Sequence, residues 1–302
     1  MNRTPLVSVI IPNYNHAHFL DLRLQSVLNQ TYQNYEVIIL DDNSTDNSLE
    51  IINKYKSNSH VVQIVVNSTN TGSPFKQWRK GFSIAKGDLI WIAESDDYCE
   101  NTLLEKLVDK FINYPDVVVA FCRTIQVDEN GEFVKEMQST NSLTDFYTGS
   151  DFLKKKLQWR NTIINASSAL FKKNVALSLH EYLNMKSSGD WLFWIEMTNY
   201  GNVCVEKEAL NYYRRYSTNT TQTNIVSGGA YKQDIIIYNY LQSHRLINKL
   251  NAIRIKKYHL LHLINNTKIT DETRRQIINE WNPNLLDRCF TFFSIMKHKL
   301  IK

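Results

Sequence analysis

GDLIWIAESDDY, residues 87–98, passes without a break from the apolar run Leu89 to Ala93 to the acids Glu94, Asp96 and Asp97. A short, continuous apolar run reads as a strand buried on both faces of a sheet, usually a parallel one. Leu6 to Pro12 (LVSVIIP), Tyr35 to Leu40 (YEVIIL), Val61 to Val66 and Val117 to Phe121 (VVVAF) repeat it. Segments of helical period lie between these runs, at His18 to Asn29, Ser48 to Tyr55, Gly72 to Ala85 and Thr102 to Asn113. In the first, Phe19, Leu22 and Ser26 share a face, with Leu20, Leu24, Val27 and Leu28 adding apolar bulk. The second follows a cap-like Ser44-Thr45-Asp46 cluster. Strand and helix in alternation at this spacing predict an α/β domain.

After Pro115 the alternation weakens. VVVAFC followed by TIQVDENGEFVKEM predicts a hairpin turning at Glu129-Asn130-Gly131. From Tyr231 glycine disappears and the pattern is helical, in segments Tyr231 to Leu250, Ala252 to Asn265, Asp271 to Asn279 and Leu285 to Leu300.

With 302 residues, 43% hydrophobic and 22% charged, the chain can bury a sizeable core, and whole-chain disorder is excluded. Nine Gly and five Pro exclude a collagen-like chain. The net charge of +5 is unevenly placed. Residues 251–302 hold ten Lys and Arg against four Asp and Glu, which leaves the first 250 residues at −1. A basic tail suits an anionic partner such as a membrane surface or nucleic acid, or is simply a solvated face. Cys99, Cys122, Cys204 and Cys289 are scattered and form no C-x-x-C pair, as expected of buried thiols in a reducing cytosol. The first residues lack the order of a signal peptide, and no run of about 18 apolar residues is present. The expected location is cytoplasmic, or peripheral to a membrane.

Ligands in open α/β sheets sit beyond the carboxyl ends of the strands. The residues found there are Pro12-Asn13-Tyr14-Asn15, Asp41-Asp42-Asn43-Ser44 and Glu94-Ser95-Asp96-Asp97. Adjacent carboxylates at a strand end need a positive partner. Mg²⁺ or Mn²⁺ is the natural one, because it shares carboxylate and phosphate oxygens. The alternative is that these acids cap the helix near Thr102 or turn a loop. Neither G-x-G-x-x-G after the first strand nor G-x-x-x-x-G-K-[ST] occurs, so the Gly-rich cradles for dinucleotides and phosphates are missing; a metal bridge would replace them.

SVIIPNYN, IILDDNSTDNS and NTGSPFKQWRKGFSIAKGDLIWIAESDDY, in this order, resemble glycosyltransferase family 2. The resemblance runs from residue 6 to 125 and returns at 165 to 222. It implies the GT-A fold, an α/β architecture with a Rossmann-like, mostly parallel sheet and flanking helices. It also implies inverting transfer from a nucleotide-diphosphate sugar, expected to be UDP-linked, with Mn²⁺ or Mg²⁺ as cofactor. The acceptor would be a saccharide or lipid-linked saccharide, and the role bacterial surface polysaccharide synthesis. On this likeness residues 1–225 are the transferase domain, with the donor half at 1–125 and the acceptor half at 126–225; residues 226–302 are a C-terminal helical extension.

The likeness also assigns residues. Pro12, Tyr14 and Asn15 match the first donor motif, with Tyr14 placed to stack on the base. Asp42 matches the acid that reads an edge of the base, and Asp41 supports that loop. Asn70 and Gly72 begin the next donor loop. Gln77-Trp78-Arg79-Lys80-Gly81 departs from the common Ala-Arg-Asn before Lys-Gly, so either Arg79 or Lys76 faces the diphosphate. Glu94-Ser95-Asp96-Asp97 resembles the D-x-D metal motif, with Asp96 near the donor ribose and Asp97 ligating the cation, a Lewis acid for the leaving diphosphate. SSGDWLFW, residues 187–194, resembles the acceptor-side motif and makes Asp190 the general base; from the residues alone Asp190 is a helix N-cap. Trp191 and Trp194 are core anchors, or one of them is a platform for an acceptor sugar. Leu210 to Tyr216 resembles the closing Y-R-x-H segment, with Tyr216 where His is usual, and makes Arg214 or Arg215 a diphosphate contact.

His16, His18, His60 and His180 share no metal-ligand spacing and read as ordinary surface or core residues, as do His259 and His262, three apart in the tail. Leu285 to Leu300 has a concentrated apolar face with basic ends. It would lie on an anionic membrane, placing the protein at the inner face of the plasma membrane, or pack on the body or a second subunit, as in a homodimer. Nucleic acid is not an expected partner. Two other functions were weighed, a catalytically inactive GT-A module that binds nucleotide or sugar, and a nucleotidyltransferase. The latter needs a Gly-rich, basic first loop, and PNYNHAHF is neither.

Overall fold

The computed structural model describes residues 4–139, 142–216 and 220–283. The first half alternates as the apolar runs require: β1 (Val7–Asn13), α1 (Ala17–Leu28), β2 (Tyr35–Asp41), α2 (Ser48–Tyr55), β3 (Val61–Val66), α3 (Pro74–Ile84), β4 (Leu89–Ile92), the short β5 (Tyr98–Cys99), α4 (Leu103–Asn113) and β6 (Val117–Val127). Then come β7 (Phe133–Glu136), β8 (Phe146–Tyr147), α5 (Gly149–Phe152), β9 (Ala169–Lys172), α6 (Lys173–Ser178), α7 (Gly189–Met197) and β10 (Asn202–Arg214). Four helices follow, α8 (Thr220–Val226), α9 (Gly229–Ser243), α10 (Lys249–Asn265) and α11 (Asp271–Glu280).

All ten strands join one sheet, in the order β3-β2-β1-β4-β9-β6-β10-β5, with β7 on β6 and β8 on β10. β1, β2, β3 and β4 are parallel neighbours, and β6 and β10 are parallel to each other. β9 runs antiparallel to both β4 and β6, so those two share a direction and the long strands are mostly parallel. The hairpin around residues 129–131 forms between β6 and β7.

Side chains alternate across a strand, so each apolar run serves two cores. Val9, Ile11, Val37, Ile39 and Trp91 face one side, against Leu20, Leu24 and Val27 of α1, Ile52 of α2 and Leu103 to Val108 of α4. Ile10, Ile38, Leu40, Ile90 and Ile92 face the other, against Phe75, Trp78 and Phe82 of α3 and the apolar α7. The result is a sheet between two helical layers. Each such side chain, fully buried, contributes about 1.5–3 kcal/mol. Gly81 lets α3 lie close on the sheet, since a Cβ there would stand 2.6 Å from Ile10 Cγ2.

Three expectations are corrected. The buried side of α1 is Phe19, Leu20, Arg23, Leu24 and Val27, whereas Leu22 is 43% exposed. The stripe is turned because Arg23 belongs inside. β3 is not buried on both faces, for it is the sheet's edge and most of it meets solvent. The expected helix from Tyr231 ends at Ser243, and the next begins at Lys249. Tyr231, Tyr238, Ile255, Leu263, Ile277 and Trp281 form a separate core among the last helices, while Ile237 and Leu241 of α9 pack into the larger core. Leu285 to Leu300 lies outside the described residues.

Candidate active site

From β1 the chain steps outward to β2 and β3, then returns to β4 on the other side of β1. The crevice beyond the carboxyl ends of β1 and β4 is therefore the switch point where an open α/β sheet takes its ligand. Asn13 ends β1 and donates to Asp41 Oδ1 (2.8 Å) and Ser44 Oγ (3.1 Å). Fully buried Asp41 accepts the Ser44 N–H and hydroxyl, folding the loop after β2 back on itself. Asn15 and Asn43 sit at positive φ, 55° and 65°, which asparagine tolerates better than most residues. The Asn15 side-chain Oδ1 accepts the backbone N–H of Thr45 at 2.7 Å, tying the two loops together. Tyr14 projects from this seam, 45% exposed, while Pro12 is buried inside β1. Asp42 lies deeper. Its carboxylate accepts from Asn67, Gln77 and the Thr71 backbone and hydroxyl. It thus joins the end of β2 to the loop before α3 and to α3 itself.

The three acids after β4 have different surroundings. The Glu94 carboxylate accepts from Trp78 Nε1 (3.0 Å), and its backbone N–H donates to Ser167 Oγ (3.0 Å). Asp97 has no exposed side-chain surface. One of its oxygens accepts from the Asn165 amide and Ser167 hydroxyl, the other from the Arg214 backbone N–H (3.0 Å). Asp96 is partly open and accepts the Tyr216 hydroxyl at 3.2 Å. Arg23 reaches up from α1, fully buried, with Nε–H donating to the Glu94 carbonyl and Nη2 3.9 Å from Asp97. Its two terminal nitrogens have no hydrogen-bond partner. Burial and the charges of Asp96 and Asp97 push Glu94 up to about 8. Burial and Asp96 raise Asp97 as well, against the pull of Arg23. Burial first, and mutual repulsion second, disfavour the ionised forms of these two carboxyls.

Among the described residues no three His, Cys, Asp or Glu side chains converge into an all-protein metal cage. Glu94 and Asp96 instead suit a Mg²⁺-like ion, which keeps water and phosphate ligands and takes only one or two carboxylates. Asp97, the expected cation ligand, is buried and accepts three protein donors, two on Oδ2 and one on Oδ1. Asp96 is the more open aspartate.

Asp190 lies in the first turn of α7, with Ser188 at the N-cap position, so it is not the cap. Asn161 donates to its Oδ2 at 2.7 Å. Burial pushes its carboxyl up to about 6, against hydrogen bonds from nearby backbone amides and Asn161. Gly189 lets the start of α7 meet Phe75, to whose ring a Cβ would stand 2.6 Å. Trp191 and Trp194 are core anchors, 5% and 0% exposed.

Two predicted donor contacts are engaged elsewhere. Arg79 donates to the Leu177 carbonyl on α6 at 2.6 Å, and Lys76 is exposed. Position 79 follows Trp78, which faces Glu94, and one helical step of 100° turns it away. Arg214 is 3% exposed, and its guanidinium donates to the carbonyls of Asp96, Asp128 and Glu129 while lying 4.7 Å over the Phe19 ring. It braces the acid loop and the β6–β7 hairpin. Arg215 donates its backbone N–H to Val127.

Arg23, Asn161, Asn165 and Ser167 also belong to the site without any motif marking them, and His16 is not an ordinary surface residue. Arg23 had a signal, for it shares the spacing of Leu20, Leu24 and Val27, so a charge sits in a buried stripe. His16 bridges the two loops of the crevice, with Nδ1 2.7 Å from Ser95 Oγ and Nε2 3.2 Å from the Tyr216 hydroxyl.

An uncharacterized glycosyltransferase of Haemophilus influenzae is 36% identical over 148 residues, 48% of this chain and 56% of that protein. Glycosyltransferase GlyG of Streptococcus pneumoniae is 30% identical over 189 residues, 62% of this chain and 52% of that one. The chain thus spans about half the length of these relatives. Among solved structures, S. aureus TarS 1-349 in complex with UDP aligns over 92% of this chain and 70% of its own, with a TM-score of 0.58 and 18% identity. The mannosyltransferase PcManGT of Pyrobaculum calidifontis, in complex with GDP-Man and Mn²⁺, aligns over 96% and 84%, with a TM-score of 0.56 and 14% identity. These two likenesses show the fold, that of GT-A glycosyltransferases. The sequence profile described as Glycosyl transferase family 2 matches residues 8–177, more than half of the chain, and the protein belongs to that family.

Proposed function

We propose that the protein transfers a sugar, with inversion, from a nucleoside-diphosphate sugar to a hydroxyl of a saccharide or lipid-linked saccharide. The observation that carries this reading is the cluster of three acids, Glu94, Asp96 and Asp97, with Arg23 alone in ion-pair range among the described residues, at the switch point between β1 and β4. A nucleotide base would stack on exposed Tyr14, beside the loop that Asp42 holds to α3. A divalent ion at Asp96 and Glu94 would supply Lewis acidity to the diphosphate. Asp97 would hold the acid loop from below through Asn165, Ser167 and the Arg214 backbone, with Arg23 as its fixed counter-charge.

Asp190 would take the acceptor hydroxyl's proton as that oxygen bonds to the anomeric carbon. The carbon–oxygen bond to the diphosphate breaks in the same displacement, which inverts the centre. A carboxyl raised to about 6 is mostly ionised at neutral pH and a stronger base than a free aspartate. The relatives' names favour a polysaccharide role: a hyaluronan synthase of Pasteurella multocida is 36% identical over 44% of this chain, though over only 14% of that protein. Thermal melts with UDP, GDP and their sugars, each with and without Mn²⁺, test the reading. UDP is expected to raise the melting temperature, and more so with Mn²⁺. No shift from any nucleotide under either condition would overturn it.

A further inference from the structure

Four polar groups close a circuit at the mouth of the crevice. Ser95 Oγ meets His16 Nδ1, His16 Nε2 meets the Tyr216 hydroxyl, and Tyr216 meets Asp96 Oδ2. Ser95 and Asp96 are neighbours, so the ring closes through one peptide. The donor order follows from chemistry. An ionised carboxylate only accepts, so the Tyr216 proton goes to Asp96. The hydroxyl must then accept from His16 Nε2–H, which leaves Nδ1 of a neutral imidazole to accept from Ser95. Three separate elements meet here: the loop after β1, the acid loop after β4 and the segment after β10. Phe19 packs 5.2 Å from the Tyr216 ring and holds it in place. Among the described residues Asp96 Oδ1 makes no hydrogen bond, so the circuit ties one oxygen and leaves the other available.

We propose that His16 and Tyr216 are positioning residues for Asp96, holding Oδ2 so that Oδ1 is presented to the divalent cation. This rests on the cation-dependent reading given above. Outer-sphere partners of a ligating carboxylate set its orientation, and their loss weakens metal binding by roughly 10–100-fold. His16 lies on the loop that carries Tyr14 and Asn15, but both of its ring nitrogens are turned to the cation side, to Ser95 and Tyr216.

The test is Mn²⁺ affinity, measured by electron paramagnetic resonance on the full chain with UDP present and no acceptor. His16→Ala and Tyr216→Phe are expected to weaken Mn²⁺ binding by about tenfold or more. His16→Gln, whose amide nitrogen can reach the Tyr216 hydroxyl, should recover most of the loss. UDP affinity without metal should stay unchanged in all three. Wild-type affinity for Mn²⁺ in both His16→Ala and Tyr216→Phe would overturn this proposal alone. Parallel losses of metal-free UDP affinity and melting temperature would overturn it in favour of a structural role. Failure of the wild-type protein to bind Mn²⁺ would remove the cation reading and this proposal with it.

Discussion

Replacing Asp190 with Asn should make the protein more stable and far less active, and both effects should depend on pH in a fixed way. Burial raises the folded-state carboxyl from 3.8 to about 6. The folded protein therefore holds this proton more tightly than the unfolded chain does. The stabilisation is complete below about pH 4 and is lost as pH rises through 6. Two pKa units at about 1.4 kcal/mol each give roughly 3 kcal/mol, and the partial opening of Asp190 to solvent reduces this to about 2 kcal/mol. Asparagine keeps the shape, and its carbonyl can still accept from Asn161, but it carries no charge into the site. Urea denaturation should find Asp190→Asn more stable than wild type by about 2 kcal/mol at pH 8, by about half as much at pH 5 and by almost nothing near pH 3. Transfer should fall by about 10²–10⁴-fold with UDP affinity held, as expected for loss of a general base. The wild-type kcat/KM should itself fall about tenfold per pH unit below pH 6. Equal stability differences at pH 5 and pH 8 would refute the burial argument. Near-normal transfer by the variant would refute the base.

Three further substitutions test the remaining roles. Asp97→Ala leaves the Asn165 amide, the Ser167 hydroxyl and the Arg214 N–H without their acceptor and the Arg23 guanidinium without its counter-charge, so denaturation should show a loss of about 3–5 kcal/mol. Asp96→Asn should stay within about 1 kcal/mol of wild type, since Tyr216 can still donate to the amide oxygen, while Mn²⁺ stimulation of UDP binding falls at least about tenfold. The reverse pattern would return the direct cation contact to Asp97. Gly189→Ala forces a Cβ to within 2.6 Å of the buried Phe75 ring, displacing the start of α7 at a cost of about 1–3 kcal/mol. Because Asp190 is the next residue, steady-state kinetics should show kcat falling while donor affinity holds; unchanged kcat would show that the helix absorbs the shift elsewhere.

The sequence alone determined the parts of this protein that local chemistry dictates. Apolar runs such as Leu89 to Ala93 can bury themselves only inside a sheet, so the α/β class and the acids waiting at the strand ends follow from order and period. The hairpin at residues 129–131 and the limits of α2 are equally local. What it missed were decisions about direction. Residues 76, 78 and 79 lie on the same helix, yet only Trp78 turns to Glu94. Asp96 and Asp97 are adjacent and chemically alike, yet Asp97 turns inward to residues 70 and 117 positions away, while Asp96 faces the crevice. Leu22 lost its place in the core to Arg23, because buried carboxylates contributed by another strand needed a counter-charge. Such choices depend on partners that only the completed fold brings within hydrogen-bond range. Composition and spacing therefore placed the acids at the crevice, and tertiary packing decided which of them is buried among protein donors and which stays open.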